Sequence, residues 1–399
     1  MKSDRCQKNC CQSGSCSMSA FVETFYPVNQ RDERKSLQDE GQARACSLPE
    51  IASLVELTLI GSMTKEEAIL AADPFSIGAI LRESGPFSRE QMDRGAPERL
   101  LKWSDEVRSL KIFAENVAYP LEQSDCLTGT TGLLLLREDH WLRNGHLKEI
   151  FEEWALQYSS DHSGVQHPSI VLRERLLYRW KGHIETMLHH LDEGVLGVAL
   201  VSGADLTPEN PLEEVYLLDL RDIQLEALFR AALACYRQGM ENRLEILIPY
   251  PADTEEWTHA YELIERVAEE TLCHQRRAVT YRIGALMRAD VSEGVATDLA
   301  RYADLIVLDS SPLSHSGHSW SESMIGSLET KVESIRKVRP HIPLRLSGLQ
   351  NAADLPELYR MDVNEVSMLS EGIAAFRLAA AQLELQEEAD GANRYYCEG

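Results

Sequence analysis

The chain of 399 residues predicts an α/β fold, a (β/α)8 TIM barrel with an N-terminal helical arm and a disordered tail. Three observations carry this expectation. Beyond residue 110, short apolar runs alternate with long amphipathic stretches, eight runs over roughly 290 residues, the scale of one such barrel. A hydrophobic content of 44% is enough to build a substantial core. The first 45 residues, by contrast, mix Ser, Gln, Gly and charge without a usable period.

Taken in order, residues 1–45 read as a flexible tail, because they cannot bury enough apolar area to offset the entropy of ordering. Cys6, Cys10, Cys11 and Cys16 fall there without a paired knuckle or a neighbouring histidine, so disorder is a plainer reading than a zinc site. Residues 46–98 form an arm and connector. Ile51, Leu54, Val55 and Leu59, then Ala68, Ile69 and Ala72, have helical spacing, Thr64 with Glu67 makes a capping box, and Pro74 reads as a stop. Two short helices follow from this, and Gly85, Pro86, Gly95 and Pro97 mark the connector before a helix resumes at Leu100. The barrel is assigned to 99–390, with a short tail at 391–399. Its eight runs are 111–116, 132–136, 195–201, 244–248, 279–286, 305–308, 344–346 and 365–368, and Ile223 to Tyr236 and Glu255 to Leu272 are its clearest helices. Functional side chains of such a barrel stand at the C-terminal ends of the strands.

Lys and Arg total 40 against 64 Asp and Glu, a formal charge of -24 that repels phosphate backbones and anionic lipid alike. Nucleic acid and membrane are therefore excluded as expected partners. Apolar runs such as Leu133 to Leu136 are far shorter than the roughly 20 residues a spanning helix needs. Lys2 and Arg5 are followed by no apolar stretch, so a cytoplasmic location is expected. His183, His189 and His190 read as a solvated helix face, since no pair among them has helical contact spacing. His315 and His318 lie in a Ser-rich loop after the sixth strand, where ligand contact and ordinary polar loop chemistry explain them equally.

Several phrases, in order across the chain, resemble the C-terminal barrel of pyruvate phosphate dikinase. Met63-Thr64-Lys65-Glu66-Glu67-Ala68 with Asp73-Pro74 is similar to the segment leaving the nucleotide-binding half of that family. Leu100-Leu101-Lys102-Trp103-Ser104-Asp105 through Asn116 is similar to the barrel entry, and Arg137-Glu138-Asp139-His140 to the second-strand signature in which Arg precedes Thr-Glu-His. Glu245-Ile246-Leu247-Ile248-Pro249 and Ala374 to Gln382 repeat further family phrases. The resemblance covers most of residues 50–385 and implies a phosphoenolpyruvate-utilising barrel that pairs as a homodimer. It also implies what is missing, since the family's swivelling phosphohistidine domain does not fit between Leu81 and Leu100, and no Gly-rich phosphate loop precedes them.

In the family, enolising pyruvate takes magnesium held by a Glu and an Asp, arginines for phosphate and enolate charge, and a Cys acid. Carried over by position, the first arginine is Arg137, read either as a bidentate anion clamp or as a salt-bridge partner of Glu138 or Asp139. The third-strand arginine falls near Ala199 to Ala204, which offers no cation. The magnesium glutamate falls on Arg288, the Asn-Asp pair on Ser311 and Pro312, and the cysteine on Ser347, too weak an acid to act unaided. Arg137, Arg288, Ser347 and Ser311 are thus the substrate-binding candidates. Asp290 and Asp309 are weak metal candidates, each displaced from the family position by residues that rise about 3.3 Å apiece along a strand. No cofactor is expected, and Mg2+ only if these displaced carboxylates rescue the site. The reading that results is a catalytically degenerate, cation-lined barrel acting as a binding, regulatory or interaction subunit for a small anion such as pyruvate or phosphoenolpyruvate. A subunit of a split dikinase-type phosphotransferase, working with partner chains, and a repurposed barrel with aldolase-like chemistry are the alternatives.

Overall fold

The structure, a computed structural model, describes residues 48–83, 95–115, 129–135, 142, 147–159, 170–191, 194–202, 214–310, 320–350 and 352–397. Eight parallel strands close a barrel in chain order. They are β1 (Lys111–Glu115), β2 (Gly132–Leu135), β3 (Val195–Ala199), β4 (Arg243–Pro249), β5 (Thr280–Arg288), β6 (Leu305–Asp309), β7 (Leu344–Leu349) and β8 (Glu365–Leu369). Every apolar run of the sequence overlaps one of them. Where a strand outlasts its run, as β5 does through Met287 and Arg288 and β7 through Ser347, ladder pairing continues past the point where hydropathy changes.

The arm holds three helices, α1 (Leu48–Leu59), α2 (Lys65–Ala71) and α3 (Pro74–Glu83), rather than two. The capping box forms as expected, with the Thr64 hydroxyl accepting from the Glu67 amide and the Glu67 carboxylate accepting from the Thr64 amide. Pro74 is a start and not a stop. It opens α3, where its missing N–H would have no helical partner, and the Asp73 carboxylate accepts from the amides of Phe75 and Ser76 at 3.3 and 3.1 Å. Helix α4 (Gly95–Val107) likewise begins inside the expected connector, with Pro97 in its first turn.

The later helices are α5 (Lys148–Ser159), α6 (Ile170–Leu191), α7 (Glu214–Arg237), α8 (Thr254–Leu272), α9 (Glu293–Ala300), α10 (Glu322–Val338), α11 (Leu355–Arg360) and α12 (Ser370–Cys397). Helix α12 runs past residue 390 and joins the arm to the barrel. Leu378 and Ala381 pack with Ile51, Ile69, Ile77 and Leu100, and the buried Gln382 amide donates 2.7 Å bonds to the carbonyls of Ile69 and Ala72. Those carbonyls lie at the C-terminal end of α2, where the Ile69 carbonyl also accepts a long 3.4 Å bond from the Ala72 amide. His183 departs from the solvated face expected of it, because α6 turns it into the helical layer with Trp180 and Met187. His189 and His190 are exposed, with ring nitrogens bonded to the backbone carbonyls of Glu185 and Thr186.

Inside the barrel, alternate strand residues point inward, and Phe113, Leu134, Leu247, Leu286, Leu305 and Val307 form an apolar layer. Below it, at the N-terminal end, fully buried Arg345 donates to Glu245 at 2.8 Å and to Glu365 at 2.9 Å, with its guanidinium 3.4 Å above the Phe113 ring. Lys111 adds a 2.9 Å bond to Glu365, and Arg282 pairs with Glu245. Buried charges are tolerated here because each has an opposite partner. Removing one member of such a set typically costs about 3–5 kcal/mol, since the other stays buried without its partner. With the N-terminal end filled by this cluster, the opposite end of the barrel is the place for a site.

Candidate functional site at the barrel mouth

Three of the residues singled out by sequence stand in one row across the mouth. In the ladder, Arg288 at the end of β5 is opposite Asp309 at the end of β6, which is opposite Ser347 on β7. The period-2 alternation places all three on the inward set of their strands. Asp309 is 2% exposed and accepts a 2.8 Å hydrogen bond from the Tyr250 hydroxyl. Tyr250, the residue after β4, has φ of 49°, a left-handed conformation uncommon for a non-glycine, and its amide is held by the Leu286 carbonyl at 2.7 Å. Ser347 is fully buried and acts mainly through its backbone, because its carbonyl accepts from both the amide and the hydroxyl of Ser310, at 3.0 and 2.6 Å.

A second carboxylate, not anticipated from sequence, lies close by. Glu115 ends β1, is 5% exposed, and accepts 2.7 Å from the Ser367 hydroxyl and 2.9 Å from the Gly348 amide. Gly348 has φ of +79°, which glycine adopts without a Cβ penalty, at the point where β7 loses register with β8. The available sequence signal was an acid closing the first apolar run, on the same face as Phe113.

Arg288 leans outward. Its Nε and Nη2 donate to the two carboxylate oxygens of Asp290 at 2.9 and 3.1 Å, and both side chains are about half exposed. The pair strengthens both charged forms: hydrogen bonding to Asp290 raises the Arg288 guanidinium above its ordinary value, and the same bond holds the Asp290 carboxyl below its own. The segment between them is anchored from α10, where buried Lys331 donates to the Ala289 carbonyl. Burial pushes the Lys331 ammonium down, and the charges of Asp290 and Glu293 only partly oppose this.

The mouth is therefore not simply cation-lined. Arg288 is balanced by Asp290, Asp309 stands opposite it in the ladder, and a further buried carboxylate, Glu115, ends β1 at the same end of the barrel. Magnesium fits these described residues poorly. An octahedral ion needs several convergent oxygens, whereas Asp290 is turned onto Arg288 and Asp309 is held by Tyr250. No group of three or more His, Cys, Asp or Glu among the described residues is arranged to hold a metal. Arg137, Ser311 and Pro312, together with His315 and His318, lie outside the described residues.

Comparison with known proteins places the sequence beside one family of enzymes. The chain is 21% identical over 358 residues to maize pyruvate, phosphate dikinase 1, chloroplastic, an alignment covering 78% of this chain and 36% of the maize protein. It is 20% identical over 387 residues to rice pyruvate, phosphate dikinase 2, covering 80% and 42%, and 21% identical over 345 residues to the Arabidopsis thaliana chloroplastic enzyme, covering 78% and 36%. The chain is a distant dikinase relative. It spans little more than a third of the length of these curated relatives, and no family model matches it. Among solved structures, the spore cortex-lytic enzyme SleL of Bacillus cereus aligns with a TM-score of 0.36 and 10% identity over 69% of this chain and 74% of that one.

Proposed function

We propose that this dikinase-like barrel has lost the enol chemistry of its relatives and serves as a binding or regulatory subunit, with a small anion such as pyruvate or phosphoenolpyruvate as its ligand. The observation that carries the reading is Arg288. At the strand end where the family resemblance puts a magnesium-binding glutamate stands a guanidinium in a bidentate pair with Asp290. Two further features support it: the residue in the place of the family's acid is a buried serine, and the nearest carboxylate, Asp309, is engaged by Tyr250. An anion entering this mouth would compete with Asp290 for Arg288, which suits weak, reversible binding better than the firm grip that catalysis of a phosphoryl transfer demands.

The test is exchange of the pyruvate methyl protons for deuterium, followed by NMR with purified protein and Mg2+. No exchange above the protein-free rate is expected, and catalysed exchange would overturn the reading. The second reading, a split dikinase-type subunit performing the pyruvate half-reaction with partner chains, is favoured by the two buried carboxylates Glu115 and Asp309 kept at the mouth. Calorimetric titration that detects neither pyruvate nor phosphoenolpyruvate would remove it. We further propose a cytoplasmic homodimer. Among the described residues no helix is long and apolar enough to cross a membrane.

A further inference from the structure

A groove on the arm, unrelated to the barrel mouth, has the composition of a ligand site. Helix α4 presents Arg99, Lys102, Trp103 and Glu106 at spacings of three, four and seven, which puts them on one face. Opposite this face, the end of α1 and the turn into α2 bring Leu59, Met63 and Lys65, bordering an open groove of about 550 Å3. That lies within the range of small-molecule sites, roughly 300–1,000 Å3. Trp103, 7% exposed, forms part of the wall, and the Lys65 ammonium stands 6.0 Å from its ring centroid. Leu59 is 61% exposed at the rim.

The charge of the groove runs against that of the chain. Acids outnumber bases 64 to 40 overall, yet this cavity has three cations and one carboxylate. Glu106 is bound to Lys65 at 2.6 Å, while Arg99 and Lys102 make no hydrogen bond or ion pair among the described residues. Two uncompensated cations beside an apolar wall attract a negative group electrostatically and hold an apolar one by burial. Arg99 and Lys102 are one helical turn apart, so their charges converge on a single multivalent group. An extended acidic peptide, whose residues advance about 3.3 Å each, would need its cations strung along a line.

We propose that the groove between α1 and α4 binds a small organic anion, a phosphate or paired carboxylate attached to an apolar moiety. The anionic group sits between Arg99 and Lys102, and the apolar moiety lies against Leu59, Met63 and the exposed edge of Trp103. The test is calorimetric titration of the full chain with phenyl phosphate and, separately, with inorganic phosphate. Phenyl phosphate is expected to bind one saturable site with a Kd of about a millimolar or tighter, and inorganic phosphate several-fold more weakly. In Arg99→Glu/Lys102→Glu, phenyl phosphate affinity falls at least about tenfold, the loss of one strong charge-assisted contact or more. In Leu59→Ser it falls toward that of inorganic phosphate. These side chains are exposed, and unchanged circular dichroism melting identifies folded variants. Absence of saturable uptake by the wild type, or equal affinity in the double variant, overturns the proposal. So does an acidic leucine-containing octapeptide that saturates the groove while phenyl phosphate does not.

Discussion

Single residues decide both the character of the mouth and the stability of the barrel floor. Arg288 and Asp309 were legible in the sequence as oddities at strand ends, but their relation was not: the ladder puts them opposite each other, while their hydrogen bonds go elsewhere, to Asp290 and from Tyr250. Tyr250 carries no recognisable signal, since its part depends on a backbone angle of 49° that residue type does not announce. At the floor, Glu365 offers a pH test. Desolvation alone would raise its carboxyl, but the charge of Arg345 and the bond from Lys111 outweigh burial and hold it below the ordinary value. A carboxyl depressed in the folded state contributes stability above its unfolded value, about 4.3, and loses that contribution as pH falls through the lower folded value. The urea midpoint should therefore fall as pH drops below about 4.3, and fall less steeply in Glu365→Gln. Equal slopes in the two proteins would show that another group governs the acid limb.

At the level of elements, strand and helix placement followed from periodicity, and the errors came from proline and from polar strand ends. Pro74 reads as a stop because a helix interior rejects it, yet the first turn tolerates it, and Asp73 immediately before it supplies the capping carboxylate that makes it a start. Close strand packing adds a constraint that sequence pattern does not express. Gly132 on β2 faces the Val195 carbonyl of β3, and a Cβ there would overlap backbone atoms that cannot rotate away. Gly132→Ala should cost about 1–3 kcal/mol in urea unfolding, the usual range for overpacking. A loss under about half a kcal/mol would mean that the β2–β3 pair relaxes freely. By contrast, a Cβ added at Gly197 or Gly284 would come within 2.5 Å of a side chain, Leu134 or Leu305, where rotamer changes can absorb part of the strain.

For the whole molecule, the arm and barrel are joined through α4 and α12, whose buried faces share one apolar cluster with α1, α2 and α3. The proposed homodimer is checked by sedimentation velocity: a single species of twice the 45.0 kDa chain mass is expected, and a monomer at micromolar concentration would exclude a stable pair. The order of eight apolar runs was sufficient by itself to determine a closed barrel, because inward and outward alternation, chain connectivity and burial all require the same answer. Distant kinship was also legible from phrases alone, and so was a cation, Arg288, at a strand end. Tertiary structure alone decided what surrounds that cation. Charge is a property of the neighbourhood, and the mouth is assembled from strands distant in sequence: the Gly348 amide that holds Glu115 lies 233 positions from it along the chain. A linear reading sees the cation; only the closed barrel sets Asp309 opposite it and Glu115 against Gly348 at the same end, and only the turn after β5 aims Asp290 at its guanidinium.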